Sequence, residues 1–145
     1  MVPIRVKKLR PDAILPTYGS SEAAGADLYA CLQEEVTIQP GQTVLIPTGL
    51  SMEIPSGFAG LIYARSGLSV KQGLAPANKV GVIDSDYRGE FMVALYNHSA
   101  EARTVSYADR IAQLLIQPVY TPGFTEVSEL SDTSRGTGGF GSTGK

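Results

Sequence analysis

Apolar and polar residues alternate along this chain in short runs, and turn residues cut the runs at brief intervals. The cuts are Pro40-Gly41, Pro47-Thr48-Gly49, Pro55-Ser56-Gly57, Arg88-Gly89 and Asn97-His98-Ser99. Between them the pattern predicts strands over 36–39, 43–46, 50–54, 58–63, 91–96 and 111–119. Leu50-Ser51-Met52-Glu53-Ile54 alternates with period two, as a half-buried strand does. Many short strands separated by Gly and Pro turns predict an all-β sandwich, jelly roll or barrel. One short helix is predicted from Ser66 toward Gln72, with Gly73 as its stop. The segment 73–81 reads as one arm and the turn of a hairpin. No internal repeat is present.

Composition narrows the class. A length of 145 residues fits one domain, and 43% apolar with 18% charged residues fits a globular core. The net charge of −2 provides no basic field, so nucleic acid is not an expected partner, and an anionic ligand must be met by local positive groups. One cysteine, Cys31, rules out an internal disulfide and fits a reducing compartment. The basic N-terminus is followed by no apolar run, so no secretion signal is expected, and no stretch approaches a membrane span. The expected location is the cytoplasm, or the nucleus in a eukaryote. Residues 1–130 are expected to form a single domain and 131–145 a flexible Gly-rich lid.

That last segment is chemically distinctive. Arg135 to Lys145 combines five glycines, an arginine, Phe140, three hydroxyls and a lysine. Backbone N–H donors, hydroxyls and fixed positive charge suit a phosphate. Gly139 to Lys145 reads as G-x-x-x-x-G-K, but no Ser or Thr and no helix follow the lysine, so a P-loop is not expected.

Further clusters lie upstream. Gly81-Val82-Ile83-Asp84-Ser85-Asp86-Tyr87-Arg88-Gly89 sets two carboxylates two residues apart. On a strand they share a face. One then orients a water or a metal, or Asp86 caps the Arg88-Gly89 turn. Asp84 follows Val82-Ile83, where the core-facing pattern ends. Asn78 offers a donor and an acceptor beside hairpin backbone able to read a planar base edge, or it serves as an ordinary turn residue. In Ala64-Arg65-Ser66-Gly67-Leu68-Ser69, Ser66 as N-cap leaves free N–H groups beside Arg65 and near Lys71, an anion site in outline or a plain capped helix. Asp109-Arg110 reads as a structural ion pair opening the last long strand, and Gln113 reads either way. His98 stands alone, which excludes a His cluster for metal, and Cys31 between Ala30 and Leu32 reads as inert.

The order of these clusters is more informative than any one of them. Ala24-Gly25-Ala26-Asp27-Leu28, Arg65-Ser66-Gly67-Leu68, residues 81–89, Asp109-Arg110-Ile111-Ala112-Gln113 and residues 135–144 resemble the five ordered motifs of the trimeric dUTPase family. The resemblance spans Ala24 to Gly144. It implies a distorted jelly roll of the β-clip type, assembled as a homotrimer with a swapped C-terminal tail. It implies Mg²⁺-dependent hydrolysis of dUTP to dUMP and pyrophosphate, which keeps uracil out of DNA and supplies dUMP for dTMP synthesis.

By the same resemblance, Asp84 holds and activates the attacking water, and Tyr87 lies under the deoxyribose and leaves no room for a 2′-hydroxyl. Asn78, with Gly81 and Val82 of the nearby backbone, reads uracil. Arg65, Ser66, Gly67 and Gln113 contact phosphates, and Asp27 is an outer-sphere partner of the Mg²⁺ waters. Arg135, Ser142 and Thr143 clamp the γ-phosphate, Phe140 covers the base, and Gly141 also contacts substrate. The tail is expected to be disordered without ligand and to close over another subunit's site. Two positions depart from the family pattern: Ala64 stands where proline is usual and Ala108 where glycine is common. Both are backbone positions rather than chemical ones.

A polyanionic triphosphate calls for the cation and both arginines to offset developing charge. Mg²⁺ keeps several waters and binds phosphates directly, so a dense cluster of protein ligands is not expected. Two rivals remain. A dCTP deaminase shares the fold and needs an acid/base at the base ring, for which Glu90 is the nearby glutamate. A nucleotide-responsive binding or structural jelly roll lacks catalysis, a reading that Asp84, Tyr87 and the tail oppose.

Overall fold

A computed structural model describes residues 3–140. In chain order it contains β1 (Arg5–Lys8), β2 (Thr17–Tyr18), β3 (Ala26–Tyr29), β4 (Val36–Ile38), β5 (Thr43–Pro47), β6 (Leu50–Glu53), β7 (Phe58–Tyr63), α1 (Ser66–Gln72), β8 (Leu74–Pro76), β9 (Gly81–Ile83), β10 (Met92–Asn97), β11 (Arg103–Val105) and β12 (Arg110–Pro118). The strands form an antiparallel five-stranded sheet in the order β2-β3-β12-β7-β9, a three-stranded sheet β5-β10-β8, and the pairs β1-β6 and β11-β4. Phe91, Leu28, Ile38, Ile46, Leu50, Leu95 and Ile111 are buried between them. The turn spacing predicts an all-β sandwich, jelly roll or barrel, and the fold is the jelly roll that the family resemblance implies.

The six expected strands fall on β4, β5, β6, β7, β10 and β12 to within a residue or two. The shorter ones lacked a periodic signal. β1 is Arg-Val-Lys-Lys, and it exists because it pairs with β6 over four positions. β6 itself departs from expectation. Its alternation predicts one wet face, yet Ser51 is buried too, because its hydroxyl donates to the Arg88 carbonyl at 2.7 Å. A satisfied hydroxyl tolerates burial.

Two further expectations are corrected. Segment 73–81 does not close as a hairpin: β8 pairs with β10 and β9 with β7. Pro76 has no N–H to donate, which suits β8 to the sheet edge it occupies. The connection between the two sheets turns at Lys79, whose φ is 66°. Ser66 is not an N-cap. Arg65 holds that position with extended backbone (φ −90°, ψ 128°) and no side chain caps the helix, so Ser66 is its first turn. The stop is as expected, with Gly73 left-handed at φ 70°.

Among the described residues, buried side-chain polar groups are matched with the exception of Arg103 Nε. Asn97 is fully buried, and its amide nitrogen donates to the carbonyls of Ile38 (2.9 Å) and Glu101 (2.7 Å) while its oxygen accepts from Ser99. Cys31 is buried against Gly49, where an added Cβ would stand 2.8 Å from its sulfur. Burial pushes the Cys31 thiol up.

Ala108 shows what the missing family glycine did. Its φ is 66°, and its N–H donates to the Ala30 carbonyl at 2.9 Å. A Cβ in the left-handed region costs about 1–2 kcal/mol, partly offset by alanine's smaller unfolded-state entropy. Ala108→Gly is therefore expected to raise stability by roughly 0.5–1 kcal/mol, read as a higher urea midpoint at equal protein concentration. The raised thiol predicts that Cys31 resists labelling by a disulfide reagent at neutral pH in the folded protein, and labels once guanidinium unfolds it.

Candidate functional site

The residues singled out from sequence fall into separate groups on one chain. The first gathers on the five-stranded sheet. β12 pairs with β3 so that Gln113 stands opposite Asp27, and with β7 so that Gln113 also stands opposite Tyr63. Directly opposed residues share a face. Arg65 follows β7, and its Nε donates to Asp27 Oδ1 at 2.7 Å. Gln113 Nε2 donates to the Ala64 carbonyl at 2.8 Å. The backbone carbonyl is what this contact uses, so alanine in place of proline at residue 64 leaves it intact. Gly25 permits the packing: an added Cβ would stand 2.7 Å from Gln113 Oε1. A cleft of about 320 Å³ opens here, lined by Asp27, Arg65, Ser66, Gly67 and Gln113 together with Arg110. Positive guanidinium, hydroxyl and amide groups around an open cleft suit a phosphorylated ligand.

The second group lies along and after β9. On a strand Asp84 and Asp86 would share a face, but no strand runs through them. β9 ends at Ile83, and residues 84–87 make a turn closed by the Tyr87 N–H to the Asp84 carbonyl at 3.2 Å. Asp84 and Asp86 therefore do not alternate on a pleat, and Asp84 is exposed at the turn's start. Val82, expected at the end of a core-facing pattern, is 63% exposed. Tyr87 donates its hydroxyl to the Glu90 carbonyl at 3.0 Å, and its ring stands 6.2 Å from that of Phe91. Gly89 makes this seat possible, because an added Cβ would lie 2.3 Å from the Tyr87 hydroxyl oxygen. Asp84, Tyr87 and Val82 line a second cleft of about 320 Å³ with Leu45, Glu90 and Met92. Asn78 sits just before β9, exposed, with its amide 3.4 Å from where a Gly81 Cβ would stand.

These two clefts share no lining residue. Register gives the reason. Gly60 opposes Ile83 and Ile62 opposes Gly81, so Asp84 emerges where β7 begins and Arg65 where β7 ends. Six extended residues span about 20 Å. The third group, Arg135 and Phe140, lines neither cleft. Arg135 Nε donates to the Gly138 carbonyl at 2.8 Å, and Phe140 is fully exposed. Gly141, Ser142 and Thr143 lie outside the described residues.

Sequence reasoning missed several members. Arg110 does not pair with Asp109. Its NH1 donates to Asp27 Oδ2 at 3.2 Å, while Asp109 accepts the Ser106 N–H at 2.8 Å. Leu45 and Met92 line the second cleft from β5 and β10, strands whose apolar residues read as core. Arg88 NH1 donates to the carbonyls of Ser85 (2.7 Å) and Tyr87 (3.0 Å), clasping the turn. Glu90 is committed elsewhere, accepting the Gly49 N–H at 2.7 Å. Of these, only the proximity of Arg110 to Gln113 in one motif was a usable signal.

No three His, Cys, Asp or Glu side chains converge as a metal-holding group among the described residues. No helix is long and apolar enough to cross a membrane among the described residues.

The family model described as dUTPase matches residues 11–144. A deoxyuridine 5′-triphosphate nucleotidohydrolase from Hahella chejuensis is 49% identical over 145 residues, covering 99% of this chain and 95% of the relative. One from Nautilia profundicola is 51% identical over 142 residues, covering 98% and 99%. Among solved structures, a G164S mutant of the Staphylococcus bacteriophage 80alpha dUTPase with dUpNHpp superposes with a TM-score of 0.91 at 28% identity, each chain covered completely. The dUTPase from phage phi11 of S. aureus superposes at 0.79 with 25% identity, covering 91% of this chain and all of the other.

Proposed function

The chain belongs to the dUTPase family and hydrolyses dUTP, and from that premise we propose that it releases dUMP and pyrophosphate by attack of an Asp84-held water on the α-phosphate, in sites shared between three copies of the chain. The observation that carries this reading is the separation of a nucleoside half-site and a phosphate half-site to opposite ends of β7. One dUTP cannot bridge both on the same chain, but copies arranged around an axis bring the Asp84 end of one to the Arg65 end of another.

An apolar arm supports assembly. After β12 the chain exposes Tyr120, Phe124 and Leu130, and a groove of about 640 Å³ is lined by Ile4, Val6, Tyr18, Met52, Leu114 and Ile116. Apolar side chains exposed on an arm and an open apolar groove on the body are complementary between copies. Residues 131–145 serve as the lid. Ordering about ten residues costs on the order of 10–20 kcal/mol, offset by charge-assisted bonds from Arg135, Gly141, Ser142 and Thr143 to a polyanion and by burial of Phe140 over the base.

Within the assembled site Tyr87 floors the deoxyribose, with its ring fixed by the Glu90 carbonyl and the space left by Gly89. Asn78 and the backbone at Gly81 and Val82 read the uracil edge. A buried donor left unpaired by the wrong base costs about 1–3 kcal/mol. Asp84 orients the water and accepts its proton as the bond to phosphorus forms. Arg65, Ser66, Gly67 and Gln113 hold the phosphates.

The reaction uses a divalent cation, and Mg²⁺ is our assignment. A single carboxylate beside the phosphate cleft fits an ion that keeps its waters and binds phosphate oxygens directly, with Asp27 as outer-sphere partner. When bound, it offsets charge on the leaving pyrophosphate. A reducing cytoplasm suits the single buried thiol.

Pyrophosphate release from dUTP with Mg²⁺ tests the reading, and ammonia release from dCTP would replace it with deamination. Asp84→Asn is expected to retain dUTP binding and lose turnover by about 100-fold or more, in line with removal of a general base; unchanged turnover would remove the water-holding role. Deleting residues 135–145 is expected to abolish most turnover while leaving the thermal midpoint in place, and full activity after deletion would refute the lid.

A further inference from the structure

The loop that carries Asp84 and Tyr87 lies outside every ladder, because β9 ends at Ile83 and β10 begins at Met92. The bonds from Arg88 to the Ser85 and Tyr87 carbonyls, and from the Tyr87 N–H to Asp84, are internal to the loop. They fix its shape and not its seat on the body. Phe91 closes it, donating its N–H to the Leu50 carbonyl at 2.8 Å and accepting the Thr48 hydroxyl at 2.6 Å. Ahead of Phe91, two side-chain bonds among the described residues seat the loop on the segment 49–51. The Ser51 hydroxyl donates to the Arg88 carbonyl at 2.7 Å, and Glu90 Oε1 accepts the Gly49 N–H at 2.7 Å. Gly49 is a firm anchor. Its carbonyl accepts the Leu9 N–H at 2.8 Å, and an added Cβ would stand 2.8 Å from both Ala13 Cβ and Cys31 Sγ.

We propose that Glu90 is a positioning residue: its carboxylate, by holding the Gly49 N–H, sets the height of the Tyr87 ring and with it the preference for a deoxyribonucleotide over a ribonucleotide. The assignment rests on the reading of Tyr87 as the floor of the deoxyribose given above. The linkage runs through one residue, because the Glu90 carbonyl accepts the Tyr87 hydroxyl at 3.0 Å while the Glu90 carboxylate holds Gly49. The peptide joining Glu90 to Phe91 is a rigid plane. The Phe91 N–H fixes one edge of it to Leu50, and a single hydrogen bond is a pivot. The carboxylate is the second attachment, which stops the plane from turning and carrying the Tyr87 hydroxyl with it. A bond from a backbone N–H to an ionised carboxylate is roughly twice as strong as a neutral one. Ser51 cannot replace it, since it holds the Arg88 carbonyl, and Gly89 between the two is the most freely rotating of residues. Glu90 is half-buried and lines the same cleft as Asp84 and Tyr87, so a displaced ring opens space where the sugar lies. Misplacement by a fraction of an ångström is enough to alter discrimination.

The test measures kcat and KM for dUTP and for UTP, with thermal midpoints, in full-length wild type, Glu90→Ala, Glu90→Gln, Tyr87→Ala and Ile38→Val. The last trims the core on β4, away from the loop, and lowers stability alone. Wild type is expected to prefer dUTP, and Tyr87→Ala to lose most of that preference. Glu90→Ala is expected to lower the ratio of the two kcat/KM values about 10-fold, the scale of one hydrogen bond, with kcat for dUTP within about threefold. Glu90→Gln keeps an acceptor oxygen for Gly49 and is expected to restore most of the ratio. Ile38→Val is expected to lower the midpoint and leave the ratio in place. A Glu90→Ala ratio equal to wild type would overturn the proposal. So would a ratio that falls with the midpoint in Ile38→Val as it does in Glu90→Ala, since the effect would then be one of stability. If Tyr87→Ala kept the wild-type preference, the reading of Tyr87 itself would fall and the role of Glu90 with it. Should Glu90→Ala not fold, Glu90→Asp, one methylene short of Gly49, decides: a fall in the ratio supports the positioning role, and none overturns it.

Discussion

β12 is hydrogen-bonded to β3 on one side and to β7 on the other, and the cleft between Asp27, Arg65 and Gln113 depends on that double pairing. Asp27 comes from β3, Gln113 from β12 and Arg65 from the end of β7. Each is far from the others in sequence, and each is held by backbone bonds in an antiparallel ladder whose register is set by burial of Leu28, Ile62, Leu114 and Ile111. Sliding β12 by one residue would turn these apolar groups outward. Core packing therefore fixes the spacing of the polar groups, and the cleft needs no separate scaffold.

The same ladder keeps the two clefts apart. β9 joins β7 at the sheet's edge, so Asp84 and Tyr87 leave the sheet at one end of β7 and Arg65 at the other. A rigid strand cannot fold back to join them. In the proposed assembly a second copy supplies the missing half, which would make assembly part of the chemistry. The turn bearing Asp84 is itself braced by Arg88 on its carbonyls, by Ser51 on the Arg88 carbonyl and by Glu90 on Gly49. These polar contacts support the backbone that carries Asp84 and Tyr87.

Much of the fold was legible because its longer strands carry their own signals. β7 and β12 read directly from apolar runs between turns, and α1 from its glycine stop. β1 and β3 were not legible, since a charged tetrapeptide and a four-residue run have no periodicity beyond their partners. The shared face considered for Asp84 and Asp86 does not arise, because backbone hydrogen bonding to β7 stops at Ile83 and a turn takes over. The hairpin failed because each arm found a better partner in a different sheet. Arg110 was paired with Asp109 on adjacency alone, and a bulge in β12 between Arg110 and Ala112 sends it to Asp27.

The sequence by itself determined the inventory: which side chains carry charge, hydroxyl or ring, in what order, and the all-β class that follows from short runs between turns. Those are local properties, written in residue identity and period. The tertiary structure decided which of them meet. Asp27 with Arg65 and Arg110, Gln113 with Ala64, and the separation of Asp84 from Arg65 all follow from strand register and a single bulge. Register is a cooperative outcome of packing over the whole sheet, so no local stretch of sequence contains it.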